Sequence, residues 1–389
     1  MANTHQRPSA SPLILWILFF GGIALLLWTL HVYGWMRAWT FFCIPAVYPP
    51  FIDLRTVQGA LTSTAKGFDP RLINPGDPLS RPMNYPMIWI TIARVFRFDN
   101  EIRYMLFVSS YVIAFLVCAW DLLRKAPSFW MLAAIFSGST MLAIERGNND
   151  LLIFVLLYVG SIVSIFSVSA ALILLCTALK IYPVFAAVSL LRKKLVFGGL
   201  LLAAALLFLI NIDDILKVKS NTPITAALSY GVPSIVAGFH KVAINISPIL
   251  LDVMLLIMIG ALVVSKNFKD YCAVEEAPKE IVRLFMVGSG IYVGTFVLSG
   301  NYDYRLIFIL LCIPYLLYMK NKYLKNLLLI QILLASNYFT LFRLLGKQLT
   351  WLLSSLSKTA LFIILCTFLI REMLNLLPEL QKYQAAEKR

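Results

Sequence analysis

The first long polar segment of the chain combines carboxylates with cationic side chains. The acidic candidates are Asp53, Asp69 and Asp77, and the basic ones are Arg55, Lys66, Arg71 and Arg81. A carboxylate beside cations can take a proton from a hydroxyl group while a phosphate is bound next to it. The alternative for each aspartate is a structural role, as a helix cap or a turn residue.

A polar string joins two apolar runs further along the chain. It reads Glu145-Arg146-Gly147-Asn148-Asn149-Asp150. Consecutive polar residues flanked by membrane helices are costly unless they line an aqueous cavity. We therefore expect Glu145, Arg146, Asn148 and Asn149 to line such a cavity. The alternative is an exposed turn between two helices.

A lysine lies inside an apolar run. Lys180 is more than a turn from either end of the run 170–191, and it is followed by Tyr182 and Pro183. Its ammonium group therefore cannot easily extend to water, and the proline breaks the helix beside it. Such a cation suits an anionic ligand, or else it pairs with a carboxylate such as Glu145 or Asp150.

A late polar loop carries the remaining candidates. It reads Ser299-Gly300-Asn301-Tyr302-Asp303-Tyr304-Arg305. Asn301, Tyr304 and Arg305 combine amide, aromatic and guanidinium groups that can hold a sugar and a phosphate. The alternative is a belt of aromatic side chains at a membrane interface.

The elements that must position these residues are long apolar runs. The chain has 389 residues, of which 60% are hydrophobic and 14% charged, a composition that excludes a water-soluble domain. The runs are continuous rather than alternating, which predicts helices and not a barrel. We predict a single integral membrane domain over residues 1–389, an all-α polytopic membrane protein with 10 or 11 crossings. The predicted spans are 12–34, 102–122, 127–144, 151–167, 169–191, 195–211, 248–265, 281–298, 304–319, 325–341 and 350–370.

The first polar loop is predicted to contain two short amphipathic helices. One begins at Asp53, which would cap it, and ends before Gly67-Phe68-Asp69-Pro70. Turn residues follow at Asn74-Pro75-Gly76-Asp77-Pro78. The second helix covers about 86–96 and places Trp89 at the depth of the membrane interface.

The net charge of +15 concentrates at the ends of the apolar runs. We assign most of it to cytoplasmic loops rather than to nucleic-acid binding. The remainder lies in the long first loop, where the cations could face an anionic lipid head group. That orientation puts segments 35–100, 212–247 and 299–304 on the extracytoplasmic side. Three full crossings between Arg124 and Arg192 would put Arg192-Lys193-Lys194 on the wrong side. Either one of the runs 127–144, 151–167 and 169–191 is a half-membrane or re-entrant helix, or this basic cluster breaks the charge rule. We favour the first, because the string from Glu145 to Asp150 is too polar for lipid.

The cysteines and histidines share no spacing typical of metal ligands. The six cysteines lie mostly in apolar runs and are expected to be small buried apolar residues. The three histidines are scattered. We expect no metal and no cofactor.

The ordered set of motifs resembles the GT-C superfamily of membrane glycosyltransferases, and within it glycosyltransferase family 87, the mannosyltransferase-like proteins. The residues that carry this resemblance are Asp53-Leu54, Gly67-Phe68-Asp69-Pro70, Asn84-Tyr85-Pro86, Gly147-Asn148-Asn149, Leu179-Lys180-Ile181-Tyr182-Pro183 before Arg192-Lys193-Lys194, and Asn301 with Tyr304-Arg305. They span most of the chain, from about residue 50 to residue 320.

The resemblance implies a GT-C-like bundle and an inverting transfer at the extracytoplasmic face of a bacterial inner membrane. The donor would be a polyprenyl-phosphate-linked sugar, and the acceptor a glycan or glycolipid among the membrane lipids. Asp53 corresponds to the catalytic base, with Asp69 as a competing candidate. The implied substrate-binding residues are Arg55, Asp69, Arg81, Tyr85, Glu145, Arg146, Asn148, Asn149, Lys180, Asn301, Tyr304 and Arg305.

Two other functions remain open. A transporter or lipid flippase would also need intramembrane charges and a polar cavity, but transporters commonly show inverted repeats, and we find none in the sequence. An O-antigen-type polymerase or ligase would carry its large extracytoplasmic loop late in the chain, whereas this chain has it early.

Overall fold

The computed structural model describes residues 11–241 and 243–387, with side chains as far as residue 376. Its α-helices are α1 Pro12–Phe41, α2 Ile52–Ala65, α3 Ile88–Val95, α4 Glu101–Lys125, α5 Phe129–Ile135, α6 Gly138–Arg146, α7 Asp150–Ile162, α8 Phe166–Leu179, α9 Lys194–Ile210, α10 Ile212–Ser220, α11 Val232–His240, α12 Pro248–Val264, α13 Lys266–Tyr271, α14 Lys279–Leu298, α15 Ile313–Leu316, α16 Lys322–Ser336, α17 Tyr338–Leu345 and α18 Lys347–Glu387. Two 3-10 helices are η1 Tyr182–Leu190 and η2 Asp303–Leu311. Strands β1 Ser229–Tyr230 and β2 Asn301–Tyr302 pair antiparallel, with Ser229 opposite Tyr302.

The long apolar helices make this an all-α polytopic membrane protein. Within the described residues, α1, α4, α14 and the part of α18 up to Leu376 are long and apolar enough to cross a membrane. Two bent pairs add up to two more spans: α9 with α10, bent by 76°, and α16 with α17, bent by 82°. The predicted total of 10 or 11 crossings stays a prediction, because α7, α8 and α12 are apolar but shorter.

Several of the predicted apolar runs are broken, among them the run 169–191, in which Pro183 predicts a break. The run 127–144 is divided into α5 and α6, and the run 304–319 into η2 and α15. The run 169–191 is divided into α8 and η1, because Lys180 has an extended backbone and Pro183 cannot donate the hydrogen bond that would continue α8. The first predicted helix ends at a kink: Gly34 has a φ of 72°, and α1 then continues to Phe41.

Glycines allow the broken elements to pack closely. On α14, Gly290 and Gly294 face Phe185 of η1, and Gly288 faces the backbone of Phe308 in η2. A Cβ atom at any of these glycines would overlap its neighbour. Helix α14 is therefore the centre against which both 3-10 helices pack.

The first polar loop contains the two short helices that the sequence predicts, α2 and α3. The prediction that Asp53 caps the first one is wrong. Phe51 occupies the cap in a left-handed conformation held by the Tyr104 hydroxyl, and Asp53 falls in the first turn. The predicted turn is confirmed, since the Asp77 amide donates to the Asn74 carbonyl at 3.1 Å. Trp89 is buried and donates to the Leu179 carbonyl at 2.8 Å, so it packs within the protein.

The second polar segment, 212–247, contains α10, β1 and α11 and docks on the first loop. Asp214 of α10 accepts a hydrogen bond from the Met87 amide at 2.8 Å and lies 3.3 Å from Arg71. The Asn221 amide group donates to the Arg71 carbonyl at 2.7 Å. The two segments predicted to share one side of the membrane are therefore in contact.

Basic residues lie at the end of the bundle opposite the first and second polar segments, and we call it the basic end. Lys125, the last residue of α4, lies 2.8 Å from Glu280 in the first turn of α14. Arg283, one turn further along α14, stacks on the Phe166 ring at 5.0 Å, and Lys193 lies over the same ring at 5.7 Å. The clusters at 124–125 and 192–194 therefore lie at the same end, as the charge rule requires.

The conflict in the predicted topology disappears because the chain between Lys125 and Arg192 makes an even number of passes. It leaves the basic end along α5 and α6 and returns along α7, whose last carbonyls accept hydrogen bonds from Arg283. It leaves again along α8 and returns along η1, which packs against α8. The run 169–191 therefore starts and ends near the basic end and turns back at Lys180, which is the path that the predicted re-entrant segment would follow.

Candidate active site

Asp53 lies where the first polar loop meets the polar string. Its Oδ2 accepts a hydrogen bond from Nδ2 of Asn148 at 2.7 Å, and its Oδ1 lies 3.6 Å from Nη1 of Arg81. The side chain is 16% exposed. This carboxylate is therefore anchored by an amide on one oxygen and faces a cation with the other, and it is still accessible.

Arg81 is held in place by Asp77. Its Nε and Nη2 donate to the two oxygens of Asp77 at 3.0 and 2.9 Å, and Nη2 also donates to the Ile52 carbonyl at 2.7 Å. Burial tends to raise the pKa of the Asp77 carboxyl, but the hydrogen bonds from Arg81 outweigh it and hold that pKa below its usual value. Asp77 thus leaves the Nη1 group of Arg81 directed at Asp53.

The orientation of Asn148 is fixed by the backbone around it. Gly147 before it has a φ of 54°, and a Cβ there would come within 2.6 Å of Phe51. The Asp150 amide donates to Oδ1 of Asn148 at 3.0 Å. The oxygen of the side-chain amide therefore faces the start of α7, and its NH₂ group must face Asp53.

Lys180 connects Asn148 to a second carboxylate. Its Nζ lies 2.8 Å from Oδ1 of Asn149 and 3.4 Å from Oδ1 of Asn148, and it forms an ion pair with Asp150. Asn148, Asn149 and Asp150 are fully buried, so the alternative of an exposed turn is wrong for the polar string. The pairing of Lys180 with a carboxylate is confirmed for Asp150.

Three tyrosine rings surround the Lys180 ammonium group at distances typical of cation–π contacts. The ring centres lie within 6 Å of Nζ: Tyr85 at 5.6 Å, Tyr182 at 5.9 Å and Tyr304 at 5.9 Å. Tyr85 comes from the first loop, Tyr182 from η1 and Tyr304 from η2, so Lys180 is the point at which three distant segments meet.

Arg305 approaches the same carboxylate from η2. Its Nε lies 3.4 Å from Oδ2 of Asp150, its Nη1 donates to Oδ1 of Asn301, and its guanidinium stacks 4.1 Å from the centre of the Tyr182 ring. Asp150 therefore faces two cations, Lys180 and Arg305, and these three groups together carry one excess positive charge.

Four predicted site residues lie in neighbouring polar contacts instead. Arg55 forms a two-pronged pair with Glu101 at 2.6 Å and stacks on Tyr104 at 4.8 Å, which fixes the first loop to the start of α4. Asp69 is paired with Arg71 at 3.0 Å. The hydrogen bond from Arg71 lowers the pKa of Asp69.

Glu145 and Arg146 hold the chain just after α1. Glu145 is fully buried and accepts a hydrogen bond from the Val47 amide at 2.8 Å. Arg146 lies 3.1 Å from Glu145 and donates to the Pro45 carbonyl at 3.0 Å. Both residues thus hold segment 45–47 in place beside the candidate site.

The structure also reveals charged residues that the sequence analysis did not single out. Lys358 and Asp303 form a buried ion pair at 2.7 Å behind the Arg305 segment. A lone lysine inside the predicted span 350–370 was the available signal, since intramembrane charges are rare and usually functional. The expectation that the cysteines are buried is confirmed for five of the six, with Cys43 half-buried.

No protein-family model, curated protein or solved structure matches this chain. Its function is therefore argued from the geometry of the site. That geometry is an accessible carboxylate beside one partly exposed arginine, joined by an amide to a buried network with excess positive charge.

Proposed function

We propose that this chain is an inverting glycosyltransferase with a GT-C-like bundle. It moves a sugar from a polyprenyl-phosphate donor to a hydroxyl group of a glycan or glycolipid acceptor. We place the reaction at the extracytoplasmic face of a bacterial inner membrane. The observation that carries the proposal is the accessible Asp53 carboxylate, anchored by Asn148 and facing Arg81 at 3.6 Å.

Asp53 is the general base in this mechanism. It takes the proton of the acceptor hydroxyl as the oxygen attacks the anomeric carbon of the donor sugar. The bond from that carbon to the phosphate oxygen breaks on the opposite face, and its electron pair leaves with the polyprenyl phosphate. One displacement inverts the configuration at the anomeric carbon, and the proton stays on Asp53 until solvent removes it.

The cations stabilise the negative charge that develops on the leaving phosphate. Arg81 is one-third exposed, whereas Lys180 and Arg305 are mostly buried and held by Asp150. Fixed positive groups contribute most where charge appears in the transition state, because they need no reorganisation. The excess positive charge of the Asp150 network supports this assignment.

The experiment measures release of free polyprenyl phosphate by purified protein, with polyprenyl-phosphate mannose as donor and a membrane lipid extract as acceptor. Asp53→Asn keeps the size of the side chain and an oxygen for Asn148, but it removes the base. We expect a loss of about 100-fold or more. The matched control is Asp69→Asn, also in the first loop.

Each outcome has a clear meaning. A wild-type rate for Asp53→Asn would remove the base assignment, and a selective loss for Asp69→Asn would transfer the role to Asp69. A wild-type protein that moves the labelled donor across sealed vesicles without releasing polyprenyl phosphate would be a transporter.

A further inference from the structure

Lys358 is a buried cation in the middle of a membrane helix. It lies on α18 and is 2% exposed. Its Nζ lies 2.7 and 2.9 Å from the two oxygens of Asp303 and 3.1 Å from the Ser229 carbonyl. An unpaired ammonium group at this depth would be costly, so the partners of Lys358 are strongly constrained to stay with it.

Those partners belong to the two short strands. Ser229 pairs with Tyr302, and the Asp303 amide donates to the Leu228 carbonyl at 2.9 Å. Lys358 therefore bonds to both sides of the ladder, to β1 through the Ser229 carbonyl and to the residue after β2 through its carboxylate. The ladder is only two residues long, and these bonds to Lys358 attach it to α18.

The segment that Lys358 holds, residues 301–305, also contributes side chains to the candidate active site. Asn301 belongs to β2, and Arg305 follows Asp303 by two residues at the start of η2. The two side chains have different partners: Asp303 binds Lys358, whereas Arg305 contacts Asp150 and Asn301. A movement of Asp303 away from α18 would therefore move Arg305 as well.

We propose that Lys358 is a positioning residue for Arg305. By holding Asp303 and the Ser229 carbonyl, it fixes segment 301–305 so that the Arg305 guanidinium stays between Asp150 and the Tyr182 ring. The catalytic consequence rests on the proposed function, but the coupling between Lys358 and Arg305 does not. The competing interpretation is that Lys358 only anchors α18 in the bundle.

The first test is a double-mutant cycle on thermal unfolding of the detergent-purified protein, which requires no activity. Lys358→Met and Arg305→Met are combined, and we expect the combined drop in unfolding temperature to be smaller than the sum of the single drops. The matched control is Arg371→Met on the same helix. Arg371 is a half-buried cation that donates to the Leu262 carbonyl at 2.8 Å, and its effect should add to that of Arg305→Met.

The second test is the same cycle on the transferase rate. Lys358→Met should lower kcat about tenfold in the wild-type background and less than about twofold in the Arg305→Met background, because it acts through Arg305. Lys358→Arg, which keeps the charge, should recover most of the loss. If the wild-type protein transfers no sugar, the proposed function fails while the unfolding cycle still decides the coupling.

Additive losses in the unfolding cycle would overturn the inference, and so would equal losses of kcat in both backgrounds. If Lys358→Met is not recovered from membranes, Asp303→Asn takes its place in both cycles. That variant keeps an oxygen for Lys358 and removes the buried carboxylate charge, so the same comparison with Arg305→Met applies.

Discussion

Asn148 donates a hydrogen bond from Nδ2 to the Asp53 carboxylate at 2.7 Å, across a sequence separation of 95 residues. The oxygen of the same side-chain amide, Oδ1 of Asn148, lies 3.4 Å from Nζ of Lys180. One buried side chain therefore joins the accessible carboxylate to the buried cations. This link is the central feature of the candidate site, since it fixes the distance between Asp53, the proposed base, and the cations that are proposed to bind the phosphate.

Removal of this link should reduce the rate of sugar transfer. Asn148→Ala deletes the donor to Asp53 and leaves the Asp150 amide without its acceptor, and we expect a loss of about tenfold to 100-fold in the transfer rate. The rate is measured as release of polyprenyl phosphate. Ser110→Ala, on the exposed face of α4, is the control and should retain the wild-type rate. An unchanged rate for Asn148→Ala would contradict the role of the link.

The group formed by Asp150, Lys180 and Arg305 predicts that two substitutions in it lower the stability of the protein by different amounts. Asp150→Asn leaves Lys180 and Arg305 buried near each other without a carboxylate, which should cost about 3–5 kcal/mol. Lys180→Met leaves Arg305 and Asp150 as a balanced pair, so it should cost only about 1–2 kcal/mol. Thermal or denaturant unfolding of the purified protein measures both. A larger loss for Lys180→Met would show that the excess positive charge does not govern the network.

Asp77 predicts a dependence of stability on pH. Because its pKa is lowered in the folded state, the stability that it contributes is complete above the ordinary aspartate pKa of about 3.9 and is lost as the pH falls through the lower folded value. At neutral pH, Asp77→Asn should lower the free energy of unfolding by about 2 kcal/mol, since it removes the charged partner of Arg81.

The measurement for Asp77 compares unfolding of the two proteins across the acid range. The difference in free energy of unfolding between wild type and Asp77→Asn should shrink as the pH falls below the pKa of a free aspartate. Asp69→Asn serves as the comparison, because the Asp69 side chain is 30% exposed and its pair with Arg71 is screened by water. A difference that stays constant with pH would contradict the prediction.

The even number of passes between Lys125 and Arg192 predicts which residues share a side of the membrane. Cysteines introduced at Arg124 and Lys194, both exposed, should react with an impermeant maleimide from the same side of sealed vesicles. A cysteine at the exposed Lys66 in the first loop should react from the other side. Labelling of Arg124→Cys and Lys194→Cys from opposite sides would contradict the described topology.

The sequence predicted the elements of the site better than their assembly. Apolar runs and polar interruptions are local patterns, so the helices of the first loop and the pairing of Lys180 followed from them. The break near Lys180 also followed from a local signal, Pro183, whereas the break after Phe136 has no proline to mark it and depends on packing against other helices. The bond between Asn148 and Asp53 and the clamp between Lys358 and Asp303 join residues far apart in the chain, and no spacing rule connects them.

Arg283 has a consequence for how the protein sits in lipid. Helix α7 has 13 residues, about 20 Å of length, which is well short of the roughly 30 Å of a hydrocarbon layer. Its terminal carbonyls at Gly160 and Val163 accept hydrogen bonds from Arg283 at 2.8 and 2.7 Å, so the helix needs no head groups or water to end where it does. The point at which this part of the chain turns back is therefore fixed by a neighbouring helix of the same protein and not by contacts with lipid.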